Sequence, residues 1–189
     1  MSVEAVFLTY GKRKSGKDFI SVLLKQILDS EFGQTALRRI SDPLKEEYAV
    51  QKGLHSAAEL KTDGPLKEVY RAEMIKFGED LRVKDSGYFC RQASSNLPQT
   101  TKFLLITDCR RPTDLDYFKD NFKRVFTIAV VADLEVRTSR GFVFTSGIDD
   151  AESECALDGY AADATIDNSG IDDDSLKAFL RHIVTELLN

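Results

Sequence analysis

Near its start the chain gathers four cations and two glycines into one short segment, Gly11-Lys12-Arg13-Lys14-Ser15-Gly16-Lys17-Asp18. Glycines five apart, with a lysine directly after the second, have the spacing of a phosphate-binding loop, G-x-x-x-x-G-K. Glycine lets the backbone wrap so that its N–H groups point at phosphate oxygens. Lys17 then reaches the outer phosphates, and the start of the following helix adds its positive end. Asp18 stands where a Ser or Thr hydroxyl usually meets Mg²⁺, and a carboxylate holds the same ion directly or through water. Lys12, Arg13 and Lys14 add more charge than holding one nucleotide requires. Such a set suits chemistry in which two polyanions are brought together and their repulsion is offset.

Other candidates lie further along. The apolar run Leu104-Leu105-Ile106 leads to Thr107-Asp108, with Arg110 and Arg111 close behind. Asp108 takes the position of an acid that assists Mg²⁺ at a strand end. The two guanidiniums suit bidentate phosphate contacts. Arg137 and Arg140 share a helix face by their spacing. Gly141 ends that helix ahead of a long glycine-bearing loop, an arrangement that resembles the lid of small phosphoryl-transfer enzymes. Arg71, Arg82 and Arg91 fall in a helical stretch between the second and third strands. Each signal alone also fits a plainer role, such as a lysine-rich turn, a helix-capping Asp108 or a pair of solvated arginines. Their convergence depends on the elements that carry them.

Those elements read as alternating strand and helix. Val3 to Thr9 is a continuous apolar strand of the kind buried in parallel sheets. Phe19, Val22, Leu23 and Ile27 then recur at helical spacing. Further strands are expected at 36–40, 102–107, 125–131 and 164–167. Helices are expected at 44–52, at 57–61, from 66 onward with Val69, Met74, Phe77 and Leu81 on one face, and at 88–94. More follow at 113–121 and 133–140, and a closing helix carries Leu176, Phe179, Leu180, Ile183, Val184 and Leu187. Residues 53–65 and 141–163 read as irregular or loop. Strands separated by helices predict an α/β fold of three layers, a five-stranded parallel sheet flanked by helices. Ligands in such sheets sit beyond the carboxyl ends of the strands, where the cations gather.

Composition narrows the classes. The 189 residues correspond to one domain, or one domain with a small insertion. Core segments are expected at 1–40, 100–132 and 164–189, a helical region at about 41–99 and a lid at about 133–163. There is no apolar span of membrane length and no signal-peptide pattern. Cys90, Cys109 and Cys155 are odd in number and widely spaced, as expected of reduced thiols in the cytosol. With only His55 and His182, histidine-based triads and zinc hydrolysis are poor fits. The net charge of −5 conceals a split: residues 1–140 hold 24 basic and 20 acidic side chains, whereas ten acidic residues and no Lys or Arg lie between Arg140 and Lys177. The basic residues form small clusters rather than tracts, which favours a small polyanion over nucleic acid.

Gly11 to Phe19, Pro43-Leu44-Lys45-Glu46, Phe89-Cys90-Arg91, Asp108 with Arg110-Arg111, and Asp149-Asp150-Ala151-Glu152-Ser153-Glu154-Cys155 resemble the signatures of animal-type phosphomevalonate kinases, at matching spacing along nearly the whole chain. The resemblance implies a P-loop, nucleoside-monophosphate-kinase-like fold. It implies transfer of the ATP γ-phosphoryl to (R)-5-phosphomevalonate, giving (R)-5-diphosphomevalonate for isoprenoid and sterol precursors, with Mg²⁺ held through Asp18 and Asp108. By position, Gly11, Ser15, Gly16 and Lys17 would bind ATP, with Lys12, Arg13 and Lys14 at the donor–acceptor junction. Arg110 and Arg111 would bind acceptor or transferred phosphate, and Arg82, Arg91 and Asn168 would lie on the acceptor side. Arg137 and Arg140 would be lid groups, and Ser169 a nucleotide-side group. Two features depart from vertebrate members: Ala129 replaces an arginine and Phe142 a tryptophan. The ending Leu187-Leu188-Asn189 is not a peroxisomal signal. A cytosolic monomer acting on a small molecule, without nucleic acid or membrane, is the expectation. Open alternatives are a kinase of this fold acting on another small phosphate ester or nucleoside monophosphate, and a GTP switch, which lacks support because no Asn-Lys-x-Asp motif occurs.

Overall fold

The computed structural model describes residues 3–62, 64–170 and 172–189. Its elements, in chain order, are β1 (Ala5–Tyr10), α1 (Lys17–Glu31), β2 (Thr35–Arg38), α2 (Ser41–Lys52), α3 (Ala58–Lys61), α4 (Pro65–Lys84) and α5 (Tyr88–Ser94). They continue with β3 (Phe103–Ile106), α6 (Pro112–Asn121), β4 (Val125–Val131), α7 (Leu134–Ser139), α8 (Glu152–Cys155), β5 (Ala164–Asp167) and α9 (Asp173–Leu188). Two compact units result, Met1–Leu37 with Asn96–Asn189, and Arg38–Ser95.

The first unit is built on a five-stranded sheet of order β2-β3-β1-β4-β5. β1 pairs in parallel with β3 and β4, and β4 with β5, so that Phe7 lies opposite Leu105 on one side and Phe126 on the other. All six residues of β1 are buried, as a central parallel strand covered on both faces requires. Alternation sends Ala5 and Phe7 to the face that packs on Ile20, Leu24, Leu28, Leu176, Leu180 and Val184 of α1 and α9. Val6 and Leu8 take the opposite face and are also fully buried. Because α1 is drawn onto this core, the end of β1 and the start of α1 are fixed relative to each other, and so is the loop between them.

The buried face of α1 differs from the expected one. Ile20, Leu23, Leu24, Ile27 and Leu28 are buried, whereas Phe19 and Val22 are 45% and 48% exposed. The set starting at Ile20 supplies the fuller i, i+3, i+4, i+7, i+8 stripe, so the helix turns that side to the sheet. In the same way α4 buries Met74 and Gly78 and leaves Val69 exposed. The short helix α8 forms within the stretch expected to be loop.

The second unit is helical. Tyr48, Ala49, Leu60 and Met74 form its core, with Leu44, Tyr70 and Phe77 packed against them. Gly78 makes room for Leu44, whose Cδ1 would lie 2.6 Å from a β-carbon at that position. The Tyr48 hydroxyl donates to Glu73 at 2.8 Å, giving the buried ring's polar end a partner.

Candidate active site

The loop between β1 and α1 depends on its two glycines. Gly11 has φ +155, and a β-carbon there would lie 2.2 Å from the Val130 carbonyl oxygen of β4. Gly16 has φ +90, and its β-carbon would lie 2.1 Å from Nδ2 of Asn168. Between them Lys14 takes φ +62, a left-handed conformation that costs a residue with a β-carbon. Lys17 then opens α1, with Asp18 beside it in the first turn, exposed.

The end of β5 braces this loop. Asn168 is buried; its Nδ2 donates to the Ser15 carbonyl at 2.9 Å, and its backbone N–H to the Val131 carbonyl at 2.8 Å. Arg140, just after α7, spans the same two residues: Nη1 donates to the Ser15 carbonyl at 3.2 Å and Nη2 to the Asn168 carbonyl at 2.8 Å. Arg137 donates from Nε to the Arg13 carbonyl at 2.8 Å. Ser169 accepts the Asp133 N–H on its hydroxyl at 2.9 Å, holding the start of α7. Both arginines of α7's face therefore reach loop backbone, as their shared helix face makes possible.

The cations meet carboxylates from residues 149–158. Arg13 Nη1 pairs with Asp149 Oδ2 at 2.8 Å, Lys12 Nζ with Asp158 Oδ2 at 2.6 Å, and Arg110 with Glu154. Lys12 also donates to the Glu154 carbonyl at 3.0 Å. Burial alone lowers the Lys12 pKa, but the Asp158 carboxylate and Cys155 outweigh it and the net shift is upward, so the ammonium stays charged. Burial lowers the Arg137 pKa; Asp149 opposes the shift and the like charge of Arg13 adds to it. Phe142 lies beneath both guanidiniums, its ring centre 4.0 Å from Arg137 Cζ and 6.0 Å from Arg13 Cζ.

Asp108 is buried just beyond β3, and the next N–H, from Cys109, donates to the Thr9 carbonyl of β1 at 3.2 Å. The acid therefore sits at the carboxyl edge of the central strands. Arg110 and Arg111 donate their backbone N–H groups to one carboxylate oxygen of the fully buried Asp114, at 3.0 and 3.2 Å. Asp114 is not among the residues expected at the site. Its signal was Pro112 at the helix start with an acid two residues later, the position from which a side chain reaches back to the cap. Arg82 and Arg91 belong to the helical unit, where Arg82 lies 5.4 Å from the Phe89 ring centre and Arg91 pairs with Asp85.

Two cavities adjoin the loop. One of about 390 Å³ is lined by Tyr10, Lys12, Cys109, Arg110, Glu154 and Tyr160 among others. The other, about 300 Å³, is lined by Gly16, Phe19, Arg140, Asn168, Gly170 and Leu176 among others. Among the described residues no cluster of three or more His, Cys, Asp or Glu could hold a metal by itself. The available oxygens fit an ion that keeps several waters and takes its other ligands from substrate phosphates, as Mg²⁺ does. Asp18 and Asp108 are the carboxylates expected to serve such an ion, and buried Ser15 Oγ and Thr107 Oγ1 have no hydrogen-bond partner.

Residues 9–124 match the phosphomevalonate kinase family. The chain belongs to that family. A phosphomevalonate kinase of Drosophila melanogaster is 42% identical over 160 residues, covering 82% of each chain. The fold is that of the P-loop kinases. TT1252 from Thermus thermophilus superposes with a TM-score of 0.56 at 15% identity, covering 98% of this chain and 99% of the other. Shikimate kinase from Bacteroides thetaiotaomicron gives 0.54 at 13% identity, covering 99% of both. The match to the phosphomevalonate kinase family spans the P-loop, the helical unit and the Asp108–Arg111 edge. The acidic residues at 149–158 lie beyond it.

Proposed function

We propose that this chain transfers the γ-phosphoryl group of ATP to the phosphate of (R)-5-phosphomevalonate, giving ADP and (R)-5-diphosphomevalonate. Family membership carries the reading. The site chemistry supports it, because Lys12 and Arg13 of the phosphate loop are joined by Arg137, which bonds the Arg13 carbonyl, and by Arg110, which lines a cavity with Lys12, whereas neither histidine belongs to the loop: His55 is part of the helical unit and His182 of α9. A phosphate acceptor is already ionised near neutral pH, so it needs charge neutralisation rather than a catalytic base.

In the reaction an acceptor phosphate oxygen attacks the γ-phosphorus in line. The bond from that phosphorus to the β–γ bridging oxygen breaks, and ADP leaves with the electron pair. Backbone N–H groups of Gly11–Lys17 and the Lys17 ammonium would hold the outer ATP phosphates. Lys12, Arg13 and Lys14 would spread their charge over the junction of donor and acceptor. Arg110 and Arg111 would orient the acceptor. Arg137 and Arg140 would close on the transferred group, excluding water that would otherwise hydrolyse ATP. Mg²⁺, held through Asp18 and Asp108, would neutralise charge on the ATP phosphates. No described helix is long and apolar enough to cross a membrane, and the three cysteines are free thiols; a cytosolic location accords with the thiols.

The test is an ADP-release assay of the purified chain with ATP, Mg²⁺ and a panel of acceptors: 5-phosphomevalonate, mevalonate, nucleoside monophosphates and shikimate. Turnover confined to 5-phosphomevalonate, with the diphosphate product seen by ³¹P NMR, is the expected result. Turnover with a nucleoside monophosphate and none with 5-phosphomevalonate would overturn the substrate assignment.

A further inference from the structure

Asp149, Glu154 and Asp158 each meet a site cation, and the side chains of the first two are buried. The side chains of Asp149 and Glu154 are 7% and 8% exposed, against 55% for Asp158. A buried carboxylate is costly unless it is paired and hydrogen-bonded, so such a group is built into its surroundings rather than resting on them. Asp149 meets this condition twice. Its Oδ2 accepts the Thr145 N–H at 2.8 Å, which fixes it within its own loop, and it accepts from Arg13 Nη1 at 2.8 Å. Cys155 Sγ donates to the Asp149 carbonyl at 3.2 Å, tying the two ends of the acidic turn together.

Arg13 and Arg137 are like charges held in one place, linked by the Arg137 Nε bond to the Arg13 carbonyl and by their common contact with Phe142. That grouping needs a counter-ion, and Asp149 supplies it. Glu154 does the same for Arg110. A long cationic side chain that must find its orientation when ligand arrives loses rotamer freedom at that step, whereas one already held has lost it in folding.

We propose that Asp149 and Glu154 are positioning residues for phosphoryl transfer, Asp149 setting the Arg13 guanidinium and Glu154 that of Arg110 before the phosphates bind. The proposal rests on the reading of this chain as a phosphoryl-transfer enzyme. The opposing idea is that both carboxylates stand in for phosphate and are displaced by it. Burial argues against that for Asp149 and Glu154, and the two ideas predict opposite effects when the charge is removed.

The full chain is compared with D149N, E154Q, R13A, R110A, the pairs D149N/R13A and E154Q/R110A, and the crossed pair D149N/R110A. Readouts are kcat, both KM values, melting temperature, and the ¹⁵N–¹H signal of Arg13 Nε without ligand, assigned from its loss in R13K. D149N and E154Q are each expected to lower kcat about 10- to 100-fold. In the R13A or R110A background respectively the further loss shrinks to less than about twofold, while the crossed pair multiplies both losses. The Arg13 Nε signal, sharp in the unmodified chain, broadens or moves in D149N and stays in place in E154Q. Full additivity of D149N with R13A, and of E154Q with R110A, would show a general structural role and overturn the proposal. So would tighter ligand binding with undiminished kcat. Should D149N fail to fold, the E154Q/R110A cycle decides on the same criteria. An unmodified chain inactive on 5-phosphomevalonate would defeat the substrate reading but leave the Arg13 signal to judge Asp149: an unchanged signal in D149N overturns the positioning role alone.

Discussion

The amide of Asn168 fills the space that a side chain on Gly16 would need: it donates to the Ser15 carbonyl at 2.9 Å and lies 2.1 Å from the position of a Gly16 β-carbon. The end of the last strand is thereby locked to the phosphate loop, and Arg140 reinforces the lock by bonding the carbonyls of both Ser15 and Asn168.

Two substitutions separate the terms of this lock. Asn168→Ala removes one donor while the Arg140 bond to Ser15 stays, so the loss is that of a single hydrogen bond, about 0.5–1.5 kcal/mol, or roughly two- to tenfold in ATP KM. Gly16→Ala forces a β-carbon against Asn168 at φ +90, and backbone strain of about 1–3 kcal/mol adds to the clash. It is expected to lower kcat/KM for ATP by more than Asn168→Ala does. The double variant relieves the clash and keeps the strain, so it should recover only in part. Full recovery would assign the whole effect to the clash.

Asp114 makes a stability prediction. Its fully buried carboxylate accepts both the Arg110 and Arg111 N–H groups. Asp114→Ala leaves both donors without that partner, at about 1–3 kcal/mol each. At about 2–4 °C per kcal/mol for a chain of this size, the melting temperature should fall by roughly 4–24 °C. Asp114→Asn keeps an acceptor oxygen and should fall less. Calorimetric scans of the three proteins check the order.

The parts of this architecture that sequence reading reached are those encoded locally. The β1 run, the glycine spacing and the start of α1 lie within one continuous stretch, so their order could be read directly. β4 and β5 emerged with the expected bounds because their apolar runs are bounded by polar turns. β2 was expected at 36–40 and lies at Thr35–Arg38, because Ile40 is drawn inward, 2% exposed, at the start of α2. The excess of acid after Arg140 was visible as charge, but not what it meets: Asp149 and Arg13 are 136 residues apart, and no periodicity links them. Asn168 was expected to face ligand, and its amide is engaged by Ser15. A short-range pattern cannot show that an amide at a strand end is used by a loop 153 residues away.

Lys17 and Arg140 are expected to fail in different ways. Lys17→Met removes the charge proposed for the outer phosphates, from the half-buried first residue of α1. It should lower kcat by about 10³-fold or more while the melting temperature holds, by analogy with other cations at transferred phosphoryl groups. Arg140→Ala loosens the loop as well as removing a lid charge. Both kcat and ATP KM should change, with the KM for 5-phosphomevalonate nearly constant. Steady-state kinetics varying one substrate at a time distinguish the patterns. A raised acceptor KM alone in Arg140→Ala would move that residue to the acceptor side.

Asp18 offers two readings that one titration separates. It is exposed in the first turn of α1, directly after Lys17. If its carboxylate helps to hold Mg²⁺, Asp18→Ser restores the common loop motif but removes a negative charge, so the Mg²⁺ needed for half-maximal rate rises. Asp18→Ala rises further, because no side-chain oxygen remains at that position. If instead Asp18 serves the positive end of the helix, both variants lose about 0.3–1 kcal/mol of stability with unaltered metal dependence. Rate against Mg²⁺ concentration for the three proteins, with melting curves of each, gives the answer. Half-maximal concentrations ordered Asp, Ser, Ala from lowest to highest support the ligand role, and superimposed curves leave the helix-end role alone.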